Sequence, residues 1–165
     1  MNINKIDYNI KSIIIINTMK LQLNNKERIT QFNVLFQNLK AFSEHVILNA
    51  SKNGIFMQGM DSSQSSCFEA KLNAAWFDSY EYNLEDETTS FGVSTQIIQK
   101  ILGIYEEKQE IEISIDENID NLFVSFTGSN DGFDKFFEIP LMDIDQDMLE
   151  ITTEESEIDI IMESK

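Results

Sequence analysis

Cys67 and His45 are the one thiol and the one imidazole of this 165-residue chain. A thiol beside an imidazole is the simplest arrangement for nucleophilic catalysis. No third group that would orient the imidazole is evident, and both residues fall in strand-like runs, where a lone buried Cys is usually core. Ser62, Ser63, Ser65 and Ser66 offer hydroxyls beside Met60-Asp61 but no base, which reads as a polar loop between strands. Asp143, Asp145 and Asp147 alternate as in a calcium loop, with Glu154 at its twelfth position, yet Met148 stands where the sharp turn calls for glycine. Asp116-x-Asn118-x-Asp120 lacks an acid at its twelfth position and reads as a turn. There is no glycine-rich phosphate cradle. A single Cys excludes a disulfide framework and a thiolate zinc site, and a single His excludes a site built on two imidazoles. The expectation is a protein with no catalytic residue, no metal and no cofactor, and not an enzyme.

Charge narrows the classes further. With 12 basic and 29 acidic side chains the formal net charge is −17. The charge argues against strong binding to nucleic acid by surface attraction, because phosphates need Lys and Arg to neutralise them. Hydrophobic residues make up 42% of the chain, enough for a core. No apolar run is long enough for a membrane span, and Ile13 to Ile16 are too few for a signal-peptide core. The chain reads as intracellular, with no membrane partner.

The elements that would position any site follow a repeating order. Residues 1–18 are rich in Asn, Ile and Lys, and read as an extension outside the core, with Met19 the natural initiator. Lys20 to Leu23 alternate like a strand. Ile29, Phe32, Leu35, Phe36 and Leu39 then recur at helical spacing, opposite a polar face almost free of acids. Three strand-like runs follow, His45 to Ala50, Ile55 to Met60 and Cys67 to Leu72, with a hairpin signal at Lys52-Asn53-Gly54. The second half replays this order. Phe91-Gly92-Val93 leads to Ser94 as N-cap, and Ile97, Ile98, Ile101 and Leu102 form a helical stripe ended by Gly103. Ile111 to Ile115, Leu122 to Phe126 and Phe133 to Leu141 supply three more strands. Each half is strand, helix, three strands, which predicts an α+β domain with helices on one face of antiparallel sheets. The domain is expected over 19–140, an acidic connector without Lys or Arg over 141–157, and the opening strand of a truncated second domain over 158–165.

Four blocks in this order carry a family resemblance. Gly54-Ile55-Phe56-Met57-Gln58 with Met60-Asp61-Ser62-Ser63 resembles a signature loop of eukaryotic-type sliding clamps, the proliferating cell nuclear antigen family. Trp76-Phe77-Asp78-Ser79-Tyr80 and Gln99-Lys100-Ile101-Leu102 are similar to two further stretches. Leu141-Met142-Asp143-Ile144-Asp145 with Leu149-Glu150-Ile151 resembles the start of the connector between the family's two domains. The spacing of the blocks holds from Met19 to Glu163.

The resemblance implies a fold of two strand–helix–three-strand units per domain. It also implies a ring of six such domains that encircles duplex DNA topologically, independent of sequence, and tethers DNA polymerase and other replication and repair proteins. A clamp loader is an implied partner, self-association into a ring is implied, and the nucleus or another site of DNA replication is the implied location. It accounts for the charge, since an acidic ring need not grip DNA electrostatically and screening at physiological salt acts over about 8 Å. Lys40 and Lys100 match DNA-facing basic positions, and Lys26 and Arg28 lie on the same helix as Lys40. Asn33, Val34 and Gly103 replace other basic positions, so contact with DNA is expected to be weak. Met60, Leu149 and Ile151 match apolar positions of a groove for partner peptides, and Gln64 and Ser65 depart from the usual residues there. Phe133, Phe136 and Phe137 match the edge that joins neighbouring subunits, an aggregation hazard when unpaired. The alternative is a free-standing module that binds clamp subunits or clamp-interacting peptides without encircling DNA.

Overall fold

A computed structural model describes residues 17–63, 65–116, 118, 120–128 and 133–142. The first half runs β1 (Thr18–Leu23), α1 (Lys26–Phe42), β2 (His45–Ser51), β3 (Gly54–Met60) and β4 (Cys67–Asn73). A short 3₁₀ turn, Ala74–Trp76, then leads to β5 (Ser79–Tyr82). The second half runs β6 (Thr88–Ser94), α2 (Thr95–Leu102), β7 (Glu110–Asp116), β8 (Asn121–Thr127) and β9 (Lys135–Pro140). The α+β expectation and the repeat both hold. One strand was missed: β5 is only four residues long and directly follows the 3₁₀ turn, too short for an alternating pattern to register.

The two halves exchange their first strands. One sheet has the order β4-β3-β2-β6 and the other β5-β1-β7-β8-β9. Thus β1 pairs antiparallel with β7 of the second half, while β6 pairs antiparallel with β2 of the first. Neither half can bury its apolar strand faces alone, so the exchange makes one core of the whole domain. Leu21, Ile113, Val124 and Phe126 come from one sheet and Val46, Met57 and Val93 from the other, all buried with Phe32, Phe36, Ile98 and Leu102 of the helices.

Local chemistry sets the element ends. The Asn25 side chain accepts from the Glu27 and Arg28 amides at the start of α1, and the Ser43 amide closes the other end on the Leu39 carbonyl at 2.8 Å. Ser94 caps α2 by accepting from the Ile97 amide, as its position in the sequence suggests. Gly103 does end α2, but at φ −67°, so it is not the left-handed stop expected of a helix-ending glycine. A Cβ there would stand 3.2 Å from the Gln99 carbonyl oxygen. Gly54 is different in kind. It closes the β2–β3 hairpin at φ +128°, and a Cβ would fall 2.1 Å from the Leu72 carbonyl oxygen.

Candidate functional site

Helices α1 and α2 lie side by side, and the Lys40 ammonium reaches across to the Gln99 side-chain oxygen at 3.1 Å. Ile29, Phe32, Phe36 and Leu39 of α1 and Thr95, Ile98 and Leu102 of α2 point into the core. The opposite surface presents Thr30, Gln31, Val34, Gln37 and Asn38 from α1, and Gln96, Ile97 and Lys100 from α2. Val34 is 47% exposed and Ile97 is 44% exposed. This surface is a band of neutral amides and short apolar side chains with Lys40 and Lys100 near one end.

The other two cations expected on this helix are each paired. Lys26 donates to Glu107 at 2.6 Å, and Glu107 holds the lysine above its ordinary pKa. Arg28 donates to Asp78 at 2.7 Å. Asp78 also accepts from the Asn24 and Asn25 amides, at 2.8 and 3.0 Å. Partial burial pushes its pKa up, but the two amides and the guanidinium outweigh that and leave it below the ordinary value. Asp78 therefore fastens the entry of α1. In the same stretch Phe77 is buried, and the Tyr80 hydroxyl donates to the Ser51 and Gly54 carbonyls. Burial raises the Tyr80 pKa to about 12. The structural duties of Asp78 and Tyr80 were invisible in sequence because their partners lie up to 54 residues away.

Met60 ends β3 half-buried and lines a recess of about 410 Å³ with Lys40, Phe42, Glu44, His45 and Asp61. The loop that follows is organised by one carboxylate. Asp61 accepts from the Ser63 hydroxyl, and from the Ser65 and Ser66 amides at 2.8 Å each. The Asp61 amide returns a bond to the Ser66 carbonyl at 3.0 Å. These bonds, led by that from Ser63, pull the Asp61 pKa down to about 2. The serines thus serve as partners of Asp61. Gln64, Leu149 and Ile151, the other expected members of a peptide groove, lie outside the described residues, as do Asp143, Asp145, Asp147 and Glu154. The structure keeps Cys67 and His45 apart, because β3 runs between their strands. Cys67 is exposed on an edge strand, not part of a core.

β9 is an edge strand. It begins at Lys135, so Phe133 stands just before it, outside the strand expected to contain it. Phe133 is 84% exposed and Phe136 is 73% exposed, whereas Phe137 is half-buried with its ring 5.9 Å from that of Phe126. Gln109, fully buried and unforeseen, donates to the Phe133 carbonyl at 3.1 Å and accepts from the Glu106 amide. After β9 the Leu141 amide bonds the Asp120 carbonyl, and the Met142 amide bonds Gly92 of β6 at 2.9 Å, so the chain passes from one sheet to the other. Among the described residues no helix is long and apolar enough to cross a membrane.

A two-sheet domain with exchanged strands and paired helices on one side is the architecture of a sliding-clamp domain. Residues 18–150 match the family model of the proliferating cell nuclear antigen N-terminal domain, and the chain belongs to that family. The family's clamps are scaffolds and not enzymes. Among curated proteins the chain is similar to proliferating cell nuclear antigen 2 of Plasmodium falciparum (isolate 3D7), 25% identical over 142 residues. That match covers 81% of this chain and 52% of the relative, so the chain spans about half the relative's length.

Proposed function

We propose that the chain serves in a DNA sliding clamp, encircling duplex DNA without sequence preference and tethering polymerase and other replication and repair proteins at the site of DNA replication in the nucleus. The observation that carries this reading is the helix pair. The two helices themselves carry no carboxylate beyond Glu27 in the first turn of α1, on a chain whose net charge is −17. Such a surface suits a duplex held by enclosure, since it neither repels phosphates nor grips them. Ring closure would run through the β9 edge, with Phe133, Phe136 and Phe137 at the junction between subunits. Partner peptides would dock beside Met60, with Gln64, Leu149 and Ile151 completing the groove. Residues 141–157 would act as the connector between domains, and a clamp loader would open and seat the ring.

Two experiments test this. A closed oligomer that stays on nicked circular DNA and runs off the same DNA once linearised is the expected result. A monomer with equal retention on both would instead favour a free-standing binding module. Leu149→Ala with Ile151→Ala should weaken a Gln-containing, aromatic-anchored peptide by roughly tenfold while leaving the melting temperature in place. Unchanged peptide affinity in calorimetry would remove the groove from the account.

A further inference from the structure

Lys26 and Arg28 lie in the first turn of α1, where a basic side chain could reach a phosphate. Each instead stands against a carboxylate, Glu107 at 2.6 Å and Asp78 at 2.7 Å. The Asp78 carboxylate is fixed by two backbone amides, so it does not swing away when a phosphate approaches. Glu27, exposed in the same turn, adds a further negative charge. That end of the helix pair therefore offers a duplex no net positive charge. At the other end Lys40 donates to the neutral Gln99 amide and Lys100 is exposed; among the described residues neither is in an ion pair, although Glu44 and Asp61 line the recess beside Lys40. Between the two ends lie Gln31, Gln37 and Asn38, exposed on α1, whose amides can donate to phosphate oxygens without releasing counterions.

We propose that the α1–α2 surface meets the DNA backbone as a low-charge, amide-lined track, with Lys40 and Lys100 its two working cations and Lys26 and Arg28 outside the electrostatic contact. This deepens the sliding-clamp reading and rests on it. Two neutralised phosphates per copy give a salt slope of about −1.8 for log K against log[salt], where all four cations would give about −3.6.

The experiment is a titration of the full chain with a mixed-sequence DNA duplex at 25 to 200 mM KCl. Fluorescence anisotropy reads the affinity and amide NMR shifts locate the contact. The expected slope is near −2 per copy, unchanged in Lys26→Gln with Arg28→Gln and close to zero in Lys40→Gln with Lys100→Gln. Gln37→Ala with Asn38→Ala should lower affinity several-fold at every salt concentration and leave the slope alone. Glu107→Gln is a second, surface variant that does not threaten the fold. Releasing Lys26 from its acid should steepen the slope by about 0.9. A wild-type slope near −4 that falls in Lys26→Gln with Arg28→Gln would overturn the proposal and leave the helix pair as the DNA-facing surface. A duplex that moves no α1 or α2 amide even at 25 mM KCl would overturn the track, while retention on circular against linear DNA separately decides the sliding-clamp reading.

Discussion

Asp61 shows how one side chain can shape a loop. Its pKa is drawn from an ordinary 3.8 to about 2 by bonds that exist only in the folded loop. The linkage has a definite sign. The lowered folded value means the loop's stabilisation is complete above the ordinary carboxylate range and is lost as pH falls from about 4 through 2. Hydrogen exchange at the Ser65 and Ser66 amides, relative to the intrinsic rate at each pH, should therefore quicken only in that window. Asp61→Ala should give the quickened rate at neutral pH, and an exchange rate indifferent to both changes would show that the carboxylate does not hold the loop. Gly54 makes a steric demand. A Cβ 2.1 Å from a carbonyl oxygen, at φ +128°, cannot be relieved by a side-chain rotation. Gly54→Ala should cost about 2–3 kcal/mol in chemical denaturation, with an unchanged midpoint the contrary result.

At the scale of elements, the start of α1 is held by a residue that belongs to neither the helix nor its neighbours in sequence. Asp78, on the approach to β5, receives the Asn24 and Asn25 amides and the Arg28 guanidinium. Asp78→Ala should cost about 1–2 kcal/mol, since two donors and a cation lose their partner near the surface, where water replaces part of what is lost. The same substitution frees Arg28, so the salt slope for DNA should steepen even as stability falls. A loss of stability with no change in slope would mean that Arg28 finds another acid. The Gln109 amide does comparable work at the far end, tying the turn before β7 to the entry of β9.

For the whole molecule, the exchange of β1 and β6 decides how the domain can fold and join. Each sheet contains strands of both halves, so neither half is a stable unit and unfolding should be a single cooperative transition. The exchange leaves β9 as an open edge with Phe133 and Phe136 exposed beside it. Unpaired edges flanked by aromatics recruit other edges. Phe133→Lys with Phe136→Lys should shift the native mass, read by light scattering, towards monomer with no change in melting temperature, because neither ring is part of the core. An unaltered mass would place self-association at another surface.

The sequence by itself determined the elements and their repeat, because burying one face of a strand or helix imposes periods of 2 and 3.6 that survive in the residue order. Asn-Gly at the hairpin, Ser94 at the cap and the clamp-like blocks were legible for the same local reason. β5 was too short to show a period, and Cys67, in a strand-like run, proved to be exposed on an edge. What only the tertiary structure decided is which strands exchange, and which charges are cancelled. The resemblance singles out Lys40 and Lys100, but nothing along the chain says that Lys26 and Arg28 are each paired with an acid. Glu107 is 81 residues from Lys26 and Asp78 is 50 from Arg28. No pattern along the chain records such distances, since electrostatic pairing depends on separation in space and falls off over a few ångströms.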